Sequence, residues 1–427
     1  MSNRPGHIRR RFWGVAAGLA ATLILSPNIA WSETKVVSGS LEKAVQSAVD
    51  GDVLTLKAGV YKGPLVIDKS INIIGETGAV IEGDGESSVI TVLAPDVTVK
   101  NVEITGSGIS LADQDSGIFL DKTATNAIVE NNRLVDNLIG IYVSGAKDSR
   151  VVKNRITGRR DLRMNERGNG IQIWNAPGTV IENNDIEYGR DGIFVTTSSK
   201  NIFRGNTLKN LRFAIHYMYT NRSTVSDNVS IGNHIGYALM SSTHLIVENN
   251  LSEQDRDRGF LFNYANRVKM SENVVRGGPE KCIFIYNSNK NSFTGNLLSD
   301  CLIGIHFTAG SERNVISNNA FIRNQTQVKY VGTRWLEWSK DGVGNFWSDH
   351  VAFDLDKNGV ADSVYRPNDL TDQVIWKYPS ARLLMNSPAV QVLKYAQSNF
   401  PALHPGGVVD SAPLMQIPQS LQKEAMR

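Results

Sequence analysis

Apolar and polar positions alternate through the middle of the chain in phrases of three to five residues, and the phrases return at a nearly fixed interval. One asparagine closes a phrase in each interval: Asn132, Asn154, Asn184, Asn206, Asn228, Asn250, Asn273, Asn296 and Asn319, in steps of 22, 30, 22, 22, 22, 23, 23 and 23 residues. About a dozen residues before each comes a second phrase of the form G-I-x-V, as in Gly140-Ile141-Tyr142-Val143, Gly170-Ile171-Gln172-Ile173, Gly192-Ile193-Phe194-Val195 and Gly304-Ile305-His306-Phe307. Alternation at period two in such short runs is a strand pattern, not a helical one. Two or three short strands in every 22–23 residues predict an all-β right-handed parallel β-helix. The asparagines would stack in one turn and exchange amide bonds from coil to coil. The L-x-x-L-x-L phrase of a leucine-rich repeat is absent. The step of 30 marks an insertion of about eight residues, with Arg159 to Arg167 as its polar content. Upstream, Val53-Leu54-Thr55-Leu56, Ile71-Asn72-Ile73-Ile74 and Val97-Thr98-Val99 carry the same grammar, so the β-helix is expected over 33–330.

After Val328 the repeat stops. Trp335, Trp338, Phe346 and Trp347 cluster, a turn-rich acidic loop follows, and residues 388–398 read as a short amphipathic helix. Ser387 is its N-cap and Pro388 its first helical residue. Its apolar face holds Ala389, Val392, Leu393 and Ala396, with Leu383 and Leu384 just upstream. An open solenoid end needs covering, so 331–427 is expected to be a mixed C-terminal cap. At the other end, Arg9-Arg10-Arg11, the apolar run Phe12 to Leu25 and Ala30-Trp31-Ser32 make residues 1–32 a signal peptide cleaved before Glu33. That segment holds Arg4, Arg9, Arg10 and Arg11 and no acids. Removing it lowers Lys+Arg from 45 to 41 against 42 Asp+Glu, and the formal charge from +3 to −1. This balance gives no electrostatic footprint for nucleic acid. No later stretch has 18 unbroken apolar residues, so the processed chain is expected not to span a membrane.

Aligned by their asparagines, residues 214–218, 236–240, 259–263, 282–286 and 304–308 become rungs of one sheet. The second and fourth residues of each rung then face inward, which leaves His216 and Met218 on the outer face with Met240 beside Met218. Two thioethers and an imidazole form a soft set suited to Cu(I); the competing reading is that they are packing. His306 shares the column of His216 but lies four rungs, ~19 Å, away. His234 and His244 fall on turns. Asp354, Asp356, Asn358 and Asp362, with Gly359, resemble the first nine positions of a calcium loop, although Tyr365 stands where the bidentate Glu belongs. Cys282 and Cys301 are out of register by ~10 Å in an ideal coil and are expected to be unbonded. Exported β-helices that act on polysaccharides need paired carboxylates or a base on an outward groove. No two acids share adjacent rungs of the aligned columns, and Asp185, Glu187 and Asp191 are expected in or beside turns. No catalytic residue is therefore assigned, although Trp174, Phe194 and Tyr286 could stack on sugar rings.

Three long phrases carry a family resemblance. GDVLTLKAGVYKGPLVIDKSINIIGETGAVIEG, AIHYMYTNRSTVSDN and IGIHFTAGSERNVISNNAFIRNQTQVKYVGTRWLEWS, with the tail GNFWSDHVAFDLDKNGVADSVYRPNDL, resemble the NosD family of periplasmic accessory proteins in nitrous-oxide reductase maturation. The resemblance spans 33–415. It implies a β-helix in the periplasm that joins a membrane subunit and its ATPase as an ABC-type complex. It also implies work with a copper chaperone on the copper centres of nitrous-oxide reductase. ATP hydrolysis would belong to the partner, since this chain has no G-x-x-x-x-G-K-[ST] loop. The expectations are transient Cu(I) at His216, Met218 and Met240, and docking of the membrane subunit through Trp335, Trp338, Leu383, Leu384, Val390 and Leu393. A metal-free docking scaffold and a polysaccharide-binding or polysaccharide-modifying rod are the alternatives.

Overall fold

In the computed structural model, residues 33–368, 370–385, 387–400 and 406–426 are described; the signal peptide assigned to 1–32 lies outside them. The chain winds as an all-β parallel solenoid. Among the described residues, three long sheets run its length, with thirteen, twelve and thirteen strands. The first extends from Thr34–Val37 to Val315–Ser317, the second from Leu65–Ile67 to Thr326–Val331, and the third from Gly59–Lys62 to Phe346–Trp347. Within each sheet, neighbouring strands are parallel and one coil apart in sequence, as in Ile215↔Tyr237 and Met218↔Met240.

The inward positions explain why these residues fold this way. Ile215, Tyr217, Tyr237, Leu239, Phe260, Phe262, Ile283 and Ile285 are fully buried in one continuous apolar core, each side chain contributing roughly 1.5–3 kcal/mol. The glycine that opens each G-I-x-V phrase has a steric cause. A Cβ on Gly192 would stand 2.4 Å from Leu208 Cδ2 and 2.6 Å from the Ala214 carbonyl oxygen, so only glycine lets successive coils close at this corner.

The asparagine stack forms as the spacing predicts. Each side-chain Nδ2 donates to the Oδ1 of the next coil, for example Asn206 to Asn228 at 2.9 Å and Asn228 to Asn250 at 2.9 Å. The same Oδ1 also accepts a backbone N–H, as from Asn206 to Asn228 at 3.0 Å. The stack runs one coil past Asn319, to Asn345 at 2.9 Å, and the sheet continues there to Phe346–Trp347. Asn345 then donates its backbone N–H to the buried carboxylate of Asp410 at 2.7 Å. Trp347 Nε1 donates to the same carboxylate oxygen at 2.8 Å. Asp410 thus closes the ladder.

Both ends are covered. At the start, the helix Leu41–Ser47, capped by Ser40, buries Leu41 and Val45 over the first coils. At the far end Trp347 stacks on Phe321 at 4.2 Å and on Tyr365 at 4.5 Å. Trp338, only 2% exposed, joins the same stack. Strand Trp335–Glu337 pairs with Gly407–Val409. Between those two strands lie the helices Leu370–Lys377 and Pro388–Asn399, the latter with Ser387 accepting from the Val390 N–H.

Cys282 and Cys301 are disulfide-bonded, with Cα atoms 5.7 Å apart, which corrects the expectation of unbonded thiols. Strand Leu297–Ser299 ends at Asp300, whose φ of +59° turns the chain. The bend brings Cys301 beside Cys282 rather than leaving it three residues out along an extended strand.

Candidate functional site

The outer face of the second sheet is built from strand positions that alternate with the core. Phe194, His216, Ala238, Leu261, Phe284 and His306 form one column, and Trp174, Thr196, Met218, Met240, Asn263 and Tyr286 the next. Met218 and Met240 are direct partners on adjacent strands and both half-buried. Side-by-side partners bring their Cβ atoms to ~5 Å, and residues i and i+2 on one strand lie ~7 Å apart. Two thioethers and the His216 imidazole therefore share one patch.

His216 sits deeper than an outer-face residue was expected to, at 8% exposure. Its ring lies against Phe194 and Phe213, with centroids 5.0 and 4.8 Å away. Below them Ile235, Ala238 and Leu261 form a small apolar cluster with Phe213 and Phe284. The sheet's own side chains cover the histidine. Residue Asp191, expected in or beside a turn, opens strand Asp191–Thr196 and is fully buried. Asp185 and Glu187 likewise lie in a strand, Asp185–Glu187. The Asp191 carboxylate accepts from His216 Nδ1 at 2.9 Å and from Arg212 Nε and Nη2 at 2.8 and 2.6 Å. Burial pushes this carboxyl up, but the His216 and Arg212 hydrogen bonds outweigh it and hold Asp191 below the usual carboxylate range. With Nδ1 directed at the Asp191 carboxylate, Nε2 is the ring nitrogen left to face a ligand. A carboxylate behind one ring nitrogen, fixing the other as a donor to metal, is the usual support of a ligating histidine.

The sequence reading named Asp191 as an acid in or beside a turn but missed its contact with His216. The signal was available: Arg190-Asp191-Gly192 places an acid immediately before its G-I-x-V phrase, one coil before Arg212-Phe213, and that corner faces His216.

The other candidates fall elsewhere. His306 is four rungs from His216 along the column, beside Phe284 at 4.8 Å; burial, with Lys329 and Lys281 nearby, lowers its pKa to about 4. Both His234 and His244 are exposed on turns. In the loop 354–362, the carboxylate oxygens accept from backbone. Asn358 and Gly359 N–H groups donate to Asp354 at 3.1 and 2.9 Å, and Leu355 N–H donates to Asp362 at 2.8 Å. Asn358 Nδ2 donates to Asp356 at 2.8 Å. Among the described residues no group of three or more His, Cys, Asp or Glu side chains is arranged to hold a metal. Of the expected docking residues, Leu383 is 91% exposed, Leu384, Trp335 and Leu393 are exposed, and Val390 is half-buried. Trp338 is committed to the cap and presents no docking face. No helix among the described residues is long and apolar enough to cross a membrane.

A family model described as "Periplasmic copper-binding protein (NosD)" matches residues 152–352. The chain is 40% identical over 377 residues to a protein of Stutzerimonas stutzeri named "Probable ABC transporter binding protein NosD", covering 85% of this chain and 86% of that one. It is 38% identical to a protein of the same name from Pseudomonas aeruginosa, covering 96% and 98%. A PL6 alginate lyase superposes with a TM-score of 0.50 at 13% identity, over 73% of this chain and 92% of the lyase, a likeness of fold alone. Identity at this level over nearly the whole length places the chain in the NosD family.

Proposed function

We propose that this chain is a non-catalytic periplasmic accessory protein of nitrous-oxide reductase maturation that accepts Cu(I) from a copper chaperone and presents it to the reductase. The observation that carries the reading is the patch of Met218, Met240 and His216, with Nδ1 of the histidine held by the Arg212-anchored carboxylate of Asp191. Thioether ligands bind Cu(I) in preference to hard cations. At a half-buried surface they leave the ion open to a second protein's ligands, so it can pass through shared-ligand intermediates. The relatives' name, ABC transporter binding protein, supports a membrane subunit and its ATPase as the second set of partners. The exposed apolar residues Leu383, Leu384, Leu393 and Val392 near the C-terminus are the surface proposed to dock that subunit. A structural calcium on Asp354, Asp356, Asn358 and Asp362 is a separate part of the proposal on which copper exchange does not depend.

The exposed C-terminal surface equally favours a second reading, a docking scaffold that never touches metal. A Cu(I) competition titration separates the two. The processed protein should take up one Cu(I), and a folded variant with His216, Met218 and Met240 changed to Ala should take up none. Equal uptake by both proteins would leave only the scaffold.

A further inference from the structure

At the turn that leads from the second sheet to the first, one residue per coil adopts a left-handed backbone. Along the rod these are Asp96, Asn126, Asp148, Gly178, Lys200, Arg222, His244, Arg267, Lys290 and Arg313, with φ from +51° to +78°. They form a true stack: the N–H of each donates to the carbonyl just before the next, as in Lys200 to Asn221 and Arg222 to Thr243, both at 3.0 Å. Asn, Asp and Gly tolerate this conformation best, and the first four members obey. From Lys200 onward the residue is basic on six successive coils. The corresponding stack at the asparagine turn has no run of basic residues: Asn131, Asn183, Gly205, Asp227, Asn249, Gly295 and Asn318 follow the rule, and Lys153 and Glu272 are isolated exceptions.

All six basic side chains are exposed. None makes an ion pair with a described residue, whereas Arg204, Arg276 and Arg323 elsewhere on the rod are paired with Glu182, Glu253 and Asp300. At ~4.8 Å per coil the strip is ~24 Å long. Neighbouring full charges at that spacing repel by about 1 kcal/mol in water, so the fold gains nothing from them. Exposed aromatic rings run alongside. Trp174 aligns through Thr196, Met218 and Met240 with Asn263, and Tyr219 and Tyr264 directly follow Met218 and Asn263. Trp174, Tyr219 and Tyr264 therefore recur every second coil, roughly 10 Å apart, and Tyr286, one coil past Tyr264, meets it edge-on at 5.8 Å. Between them lies an open groove of about 460 Å³ whose lining includes Tyr219, Asn221, Arg222, Thr243 and His244. Ser198 also lines it, with a buried Oγ that has no hydrogen-bond partner.

We propose that this strip binds a linear carboxylated polysaccharide of the polyuronate class. The Lys and Arg side chains, on five of the six coils, meet carboxylates of successive sugars, and the His244 imidazole offers a hydrogen-bonding group on the remaining coil. The rings at every second coil meet the faces of alternate sugars in an extended chain, and the amides and hydroxyls of the groove take the sugar hydroxyls. This inference stands independently of copper exchange.

The test is binding of the processed full-length protein to a polygalacturonate oligomer, with a neutral cello-oligomer and polyaspartate of equal charge as comparators. Polygalacturonate should bind, more weakly as salt rises, and the neutral chain should not. The variant Arg222→Gln/Arg267→Gln/Lys290→Gln and, separately, Tyr219→Ala/Tyr264→Ala should each weaken binding at least about tenfold. No binding of polygalacturonate overturns the proposal. So does polyaspartate binding as tightly with the tyrosine variant unaffected, because the strip would then read charge alone, as the acidic face of a protein would supply it.

Discussion

The solenoid and the segment that follows it treat apolar side chains in opposite ways. Between Thr34 and Val331 the inward columns are sealed, and Ile, Val and Phe on successive coils reach full burial. After the cap tryptophans, Leu383, Leu384, Val392, Tyr395 and Phe400 are all exposed, Val392 by 67%. A parallel coil stacks on its neighbours and can hide every inward residue. The short helix Pro388–Asn399 stands outside the stack, and among the described residues its Val392 and Leu393 remain exposed. The difference teaches that the solenoid's own coils hide its apolar residues, whereas the tail offers the exposed apolar surface proposed above for docking.

The contrast can be broken most directly inside the ladder. Asn228→Ala should cost about 3–5 kcal/mol, since it strips partners from Asn206, Asn250 and the Phe203 carbonyl, all buried. Denaturant unfolding measures it, and a loss under 1 kcal/mol would mean the stack is ornamental. Next comes the disulfide: closing a loop of 19 residues, it should contribute about 3 kcal/mol, read as a lower midpoint in Cys282→Ser/Cys301→Ser.

Asp255 probes the same interior through pH. Burial raises its pKa to about 6, against hydrogen bonds from Ser230, Ser252 and Asn233. The folded state thus favours the neutral acid. Below pH ~4 it is protonated whether folded or not and carries no penalty; as pH rises toward 6 and beyond, stability falls by up to about 3 kcal/mol. Asp255→Asn should recover up to that amount at pH 7.5 and flatten the pH profile between 4 and 7. An unchanged profile would show that the carboxyl ionises without cost. The smallest effect on stability belongs to the tail, where Leu383→Asp/Val392→Asp should move the midpoint by under about 0.5 kcal/mol. The same variant should lose co-purification with the membrane subunit, and retained co-purification would move the docking surface elsewhere.

Much of this was legible beforehand because periodicity is written in one dimension. The asparagine steps and the G-I-x-V phrases locate the strands, their register and their inward faces, down to the pairing of Met218 with Met240. What escaped depends on corners, where the chain leaves the repeat. Asp191 sits one residue before a phrase yet reaches His216 on the next coil. Cys301 reaches Cys282 because Asp300 bends the chain. Trp335 and Trp338 look alike in sequence, but only Trp338 faces the open end of the core. The helix Leu41–Ser47 was also missed, since seven residues carry too little periodicity to stand out from the strands around them.

X-ray absorption of the Cu(I)-loaded protein tests the central claim most directly. The account predicts two sulfur scatterers and one nitrogen around copper, with one sulfur lost in Met240→Leu and the nitrogen lost in His216→Ala. A shell of nitrogen and oxygen alone, or one unchanged by either substitution, would contradict it.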